Sequence, residues 1–211
     1  MTAHIYAYGS ICRGDITPDS DIDLLAVVQG ICPQFDPQTF SIYSMRRLAE
    51  LWDAGSPFAW HLHKESRLLY ASDGVDVLAN LGPPSQYRDV DSDCSKFHSL
   101  FIDALRSFSC NHPSRVFDLS TMFLALRNFA TCFMLGVHGV PDFSRDSATK
   151  MGSQSVPLTG ESYAILRRAR LMATRGVGTY ISSDETRDLL SDLVRVDSWM
   201  ARLRHDASNR V

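Results

Sequence analysis

The residues best placed to do chemistry are a glycine-serine pair and two aspartates near the N-terminus. Gly9-Ser10 is followed, after ten intervening residues, by Asp21-Ile22-Asp23, all within HIYAYGSICRGDITPDSDIDLLAVV. Glycine has no Cβ, so a bend at Gly9 lets the main chain approach a ligand closely. Ser10 adds a hydroxyl, the amides that follow can form a nest for phosphate oxygens, and Arg13 offers a cation in the same loop. Asp21 and Asp23 are two positions apart. On a strand this spacing puts both carboxylates on one face, roughly 7 Å apart, with Ile22 pointing the other way. A few carboxylates, phosphate oxygens and water form the ligand set that magnesium prefers. The chemistry implied is the holding of a nucleoside triphosphate with Mg2+.

The elements that must position these groups are legible around them. Residues 4–8 are β-prone and stop at Gly9, which predicts a strand running into a tight turn. Pro18, Asp19 and Ser20 are turn residues, and 21–28 read as a second strand. A third strand is expected over 39–43, before a helix over 45–53 that Ser44 caps and that sets Met45, Leu48, Leu51 and Trp52 on one face. A further short strand is read over 67–70.

The segment from Gly9 to Asp23 resembles the signature of the DNA polymerase β-like nucleotidyltransferase superfamily, in its minimal-nucleotidyltransferase branch. The resemblance is firm over residues 1–30 and extends to about 88. It implies an α+β fold, a small mixed-sheet nucleotidyltransferase domain followed by an all-α helical bundle. It also implies roles: Gly9, Ser10 and Arg13 for the triphosphate, Asp21 and Asp23 as catalytic and metal-binding residues.

Active members of that superfamily carry a third acid on the next strand, which completes the metal site and accepts the proton of the attacking hydroxyl. Residues 39–43, Thr-Phe-Ser-Ile-Tyr, contain no acid, and Asp36 comes early. Residues 58–65 read as extended, which puts His61, His63 and Glu65 on one face by the period-two rule. That stripe either approaches the pocket or faces solvent. Zinc is a third option, because imidazole suits it.

Composition sets limits. The chain has 211 residues, 45% hydrophobic and 21% charged, with a net charge of −3. A mildly acidic balance gives no general attraction to polynucleotides. Cys12, Cys32, Cys94, Cys110 and Cys132 are odd in number and contain no Cys-x-x-Cys pair. This argues against a disulfide framework or structural zinc, and a reducing cytoplasm is expected. No signal peptide and no apolar run of membrane-spanning length is read, so no membrane partner is expected.

The pattern changes near residue 90, after the break at Leu81-Gly82-Pro83-Pro84-Ser85, dividing the chain into 1–88 and 89–211. Four apolar stripes follow, about 97–108, 116–133, 163–172 and 189–203, the last with Ser183 or Asp184 as N-cap. They predict a helical bundle. The polar stretch 140–159 reads as a mobile or cleft-lining loop. The arrangement is similar to two relatives of the superfamily, the aminoglycoside nucleotidyltransferases and the pairing with HEPN bundles. HEPN ribonucleases carry Arg, four to six residues, then His, and Arg106 to His112 fits. Arg167, Arg168, Arg170 and Arg175 are candidates for phosphate or acidic contacts, and Asp103, Asp118 and Asp142 for a cationic acceptor.

The sequence therefore predicts a Mg2+-dependent enzyme moving a nucleoside monophosphate, with AMP from ATP as first choice, to an acceptor hydroxyl with release of pyrophosphate. The acceptor is a small molecule, a protein or an RNA end, and a homodimer is left open. Two alternatives stand beside it: a nucleotide- or partner-binding module weakened by the missing third acid, and a HEPN-like ribonuclease.

Overall fold

The computed structural model describes residues 2–15, 22–30, 34–110 and 114–208. The chain divides into two compact units, Met1–Arg88 and Asp89–Val211.

Unit 1 is a four-stranded mixed sheet with helices on one face. Strands β1 (Ala3–Tyr8), β2 (Asp23–Val28), β3 (Phe40–Ser44) and β4 (Ser66–Ala71) lie in the order β3-β2-β1-β4. β1 is antiparallel to both neighbours, and β2 is parallel to β3. The register pairs Tyr6 with Leu25 and Tyr8 with Asp23, and β3 adds Ser41 beside Leu25 and Tyr43 beside Val27. Side chains alternate along strands. Tyr6, Tyr8, Asp23, Leu25, Val27, Ser41 and Tyr43 therefore share one face. Its apolar members pack with Leu48, Trp52, Ala59, Leu62 and Leu78 from helices α2 (Met45–Asp53), α3 (Pro57–Glu65) and α4 (Val77–Leu81). Ala3, Ala26 and Val28 form a smaller cluster on the other face with Phe35 and Phe40. A single helical turn, α1 (Ser10–Arg13), follows β1.

The expected helix over 45–53 is present, and the Ser44 hydroxyl accepts from the Arg47 amide at 3.1 Å. The segment read as extended over 58–65 is instead α3. Ser56 accepts from the Ala59 amide at 3.2 Å, and Pro57 takes the first helical position. A hydroxyl cap followed by proline is a strong start signal, because the cap satisfies an orphan donor and proline lacks the one it would waste. The buried residues Ala59 and Leu62 are three apart, a helical spacing.

Unit 2 is helical: α5 (Val90–Ser109), α6 (Arg115–Phe133), α7 (Gly160–Arg175) and α8 (Ser183–Ser208). α6 is the central helix, and Leu119, Met122, Leu126, Phe129 and Phe133 along it are fully buried. Phe129 packs against Trp199 of α8, ring centroids 5.6 Å apart. A π-helical turn, Met134–His138, extends α6. A Cβ at Gly136 within it would come 2.5 Å from Val90 Cβ, so glycine there lets α5 and α6 close up. With that extension the helix spans 24 residues, long and apolar enough to cross a membrane, which corrects the sequence reading. Its side chains are mostly buried inside unit 2, as in the core helix of a bundle.

Residues 140–159 are packed rather than loose. Phe143, Ala148, Met151 and Val156 are buried. Arg127 donates to the Phe143 and Ser144 carbonyls, Thr131 to the Asp142 carbonyl and Trp199 to the Gln154 carbonyl. The N-cap of α8 is Ser182, not Ser183 or Asp184. Its hydroxyl accepts from the Glu185 amide at 3.2 Å, and Glu185 accepts from the Ser182 amide at 2.8 Å. This is a reciprocal capping box.

Candidate active site

The site begins where β1 ends. Tyr8 lies opposite Asp23, and the chain then bends at Gly9 with φ 77° and ψ −141°, a combination that side-chain-bearing residues avoid. One helical turn follows. Cys12 donates its amide to the Gly9 carbonyl and Asp15 to that of Ser10, each at 3.0 Å. A Cβ at position 9 would come 2.8 Å from Asp23 Oδ2 and 3.9 Å from His61 Cε1. The bend thus packs directly on the Asp23 carboxylate, and only glycine fits there. Asp23 is exposed at the start of β2. Its predicted companion Asp21 lies outside the described residues, as do Cys32 and His112.

The sequence read His61, His63 and Glu65 as one stripe, and the helix sorts them differently. His61 and Glu65 are four apart and share a face, with Nε2 and Oε2 3.0 Å apart. The approach is close but poorly aligned for a hydrogen bond. His63 turns away and meets the Trp60 ring edge-on. Glu65 also ion-pairs with Arg13, which donates to Asp15 as well at 3.0 Å. Burial pulls the Arg13 guanidinium pKa down, but Asp15 and Glu65 outweigh it and leave it raised. Arg13 is therefore tied between two carboxylates. Cys12 donates its thiol to the Ala7 carbonyl, and burial pushes its pKa up, which disfavours the reactive thiolate.

Ser41 occupies the site-facing position of β3, and its Oγ is 3.0 Å from the Tyr8 hydroxyl. Burial raises the Tyr8 pKa. No acid lies on β3. Asp36 is a turn residue whose carboxylate accepts from the Gln38 amide at 2.9 Å. Among the described residues no group of three or more His, Cys, Asp or Glu is gathered for a metal ion.

Residues 2–42 match the family model described as a nucleotidyltransferase domain. This stretch holds β1, the Gly9 bend and β2. This part of unit 1 is of the polymerase β-like nucleotidyltransferase type. Its presence puts the chain in an enzyme class that transfers nucleoside monophosphates. The fold is similar to that of spectinomycin adenyltransferase AAD(9) from Enterococcus faecialis, a crystal structure with ATP and spectinomycin. The TM-score is 0.51 at 12% identity, over 94% of this chain and 91% of that one. Identity this low speaks to the fold, α+β with a helical C-terminal part. No curated protein matches the sequence.

Outside the nucleotidyltransferase domain, the other candidates are engaged in unit 2. Asp118 is buried and accepts from the Ser107 hydroxyl, and Asp142 accepts from the Ser144 amide. Asp103 lies 3.6 Å from Arg106, the arginine of the ribonuclease-like spacing. Arg167 and Arg168 pair with Asp146 and Glu185, and Arg170 reaches the Ser120 hydroxyl. Unit 2 also holds a cavity of about 660 Å³ that sequence reading missed. Phe108, Arg115, Leu119, Ile181, Thr186 and Leu190 are among its walls. It forms where distant segments meet, so no local pattern announces it.

Proposed function

We propose that this protein transfers AMP from ATP to a hydroxyl of a small-molecule acceptor, releasing pyrophosphate. The observation that carries the reading is the Gly9 bend packed on the Asp23 carboxylate inside a nucleotidyltransferase sheet. The choice of ATP and of a small acceptor draws support from the similar fold crystallised with ATP and spectinomycin.

In this reading the amides after Gly9 receive the triphosphate, because the first N–H groups of a helical turn have no partner within it. The Ser10 hydroxyl adds a further donor. Asp23 together with Asp21 would hold Mg2+, which would neutralise charge on the phosphates. The donor set fits: a carboxylate at the start of β2 stands beside a bend with no side chain to fill the space. The acceptor oxygen then bonds to the α-phosphorus as its bond to pyrophosphate breaks. Positioning and electrostatics supply most of the acceleration. The decisive experiment incubates the protein with α-labelled ATP, magnesium and a panel of hydroxylated acceptors, spectinomycin included. Label on an acceptor, lost in Asp23→Asn, supports the reading.

Ser41 in place of an acid on β3 favours a second reading, a nucleotide-binding module without turnover. Calorimetry with ATP and magnesium separates the two. Tight binding with no labelled product from any acceptor would favour the module.

A further inference from the structure

We propose that the cavity of unit 2 binds a small organic anion, an apolar body carrying one carboxylate or phosphate, with Arg115 as the partner of its charge. This site needs nothing from Asp23 and its bend, since every wall belongs to unit 2. Its volume of about 660 Å³ is that of a small-molecule site. Phe108, Leu119, Ile181 and Leu190 give apolar walls, and Tyr180, 77% exposed, adds an aromatic ring. Arg115 donates from its guanidinium to the Thr186 hydroxyl at 3.2 Å. The guanidinium carbon lies 5.8 Å from the centre of the Phe108 ring. Hydroxyl and ring together hold the group in the wall. A guanidinium is a planar fork of N–H donors whose geometry matches the paired oxygens of a carboxylate or phosphate.

Charge selects the sign of the ligand. Arg115 and Arg187 line the cavity, and among the described residues no Asp or Glu does, in a chain of net charge −3. Arg187 is tied to Asp184 at the surface, 3.1 Å away, which leaves recognition to Arg115. The neighbouring acids are committed elsewhere. Glu185 pairs with Arg168 and accepts from the Ser182 amide, and Asp118 is buried and accepts from the Ser107 hydroxyl. α6 and α8, 19 and 26 residues long, both start at this cavity, where Ser114 and Ser182 stand in its walls. Helix starts carry positive partial charge, which adds to that of the guanidinium. A cation would meet this field with no carboxylate to offset it. A bare inorganic anion would leave the apolar walls against water, so an apolar body completes the fit.

The test titrates the full chain with naphthylacetate, naphthyl phosphate and the neutral naphthylacetamide, followed by NMR and calorimetry. Both anions are expected to shift the resonances of Leu119, Ile181, Thr186 and Leu190, and the tighter of the two names the head group. The amide should bind about tenfold more weakly than naphthylacetate, since a hydrogen bond to a charged group is worth at least that factor. Arg115→Gln should weaken naphthylacetate by about the same factor and leave naphthylacetamide unchanged. Leu190→Trp, which fills the cavity from a half-exposed wall, should abolish binding, and it decides the matter if Arg115→Gln does not fold. Arg106→Gln, a surface arginine outside the walls, should bind like the wild type. Equal affinity for acid and amide overturns the proposal, because the cavity would then be merely apolar. So does full affinity in Arg115→Gln or Leu190→Trp. Shifts confined to other residues, those around Gly9 included, or no binding of either anion at millimolar concentration overturn it as well.

Discussion

Gly9 and Asp23 are coupled by shape, so substitutions at the two should fail in different ways. Gly9→Ala places a methyl 2.8 Å from Asp23 Oδ2 in a backbone region that glycine alone enters easily. Strain of this type costs about 1–3 kcal/mol. Urea unfolding should show that loss, and calorimetry should show ATP binding abolished with it. Asp23→Asn leaves the sheet intact, because the residue is exposed at the strand end. Its melting temperature should match the wild type while turnover falls about 10²–10³-fold, the usual effect of removing one preorganised charge from a transition state. An active Asp23→Asn protein would refute its role. The sequence pointed to both residues because their types and spacing are unusual together. It did not show that Arg13 is shared between Asp15 and Glu65. That needs the end of α3, 52 positions away, brought to the bend.

At the scale of elements, start signals proved stronger than alternation. The polar positions 61, 63 and 65 mimic a strand, but Ser56-Pro57 begins a helix and the sheet face accepts Ala59 and Leu62 from it. The capping box of α8 makes a pH prediction. The Ser182 amide and then Arg168 hold the Glu185 carboxyl down at about 2, against an ordinary value of 4.5. A depressed acid stabilises the folded state above its unfolded pKa, and the benefit drains away as pH falls toward the folded value. Thermal melts should therefore show wild type above Glu185→Gln at pH 7, with the gap closing between pH 4.5 and 2. A gap that persists at pH 2 would rule out the carboxylate as its source.

For the molecule as a whole, each unit has its own core. A fragment of residues 89–211 is expected to be helical by circular dichroism and to melt cooperatively. Within it Phe129 is fully buried between Phe133 and Trp199. Phe129→Ala should cost about 3–5 kcal/mol by leaving a cavity, read as a lower denaturant midpoint. The helix that passes for a membrane span by composition is the one that makes this core, so its apolarity serves packing.

The sequence by itself determined what short-range physics controls: the strand ending at Gly9, the Ser44-capped helix, the break after Leu81 and the apolar stripes of unit 2. Each depends on residues within a few positions, where steric limits and hydrophobic period act directly. Only the tertiary structure decided that Ser41 takes the site-facing place on β3, that His61 and Glu65 converge while His63 departs, and that residues 140–159 are pinned to the bundle. Those outcomes depend on strand register and helix placement, which are settled by contacts between segments far apart in the chain.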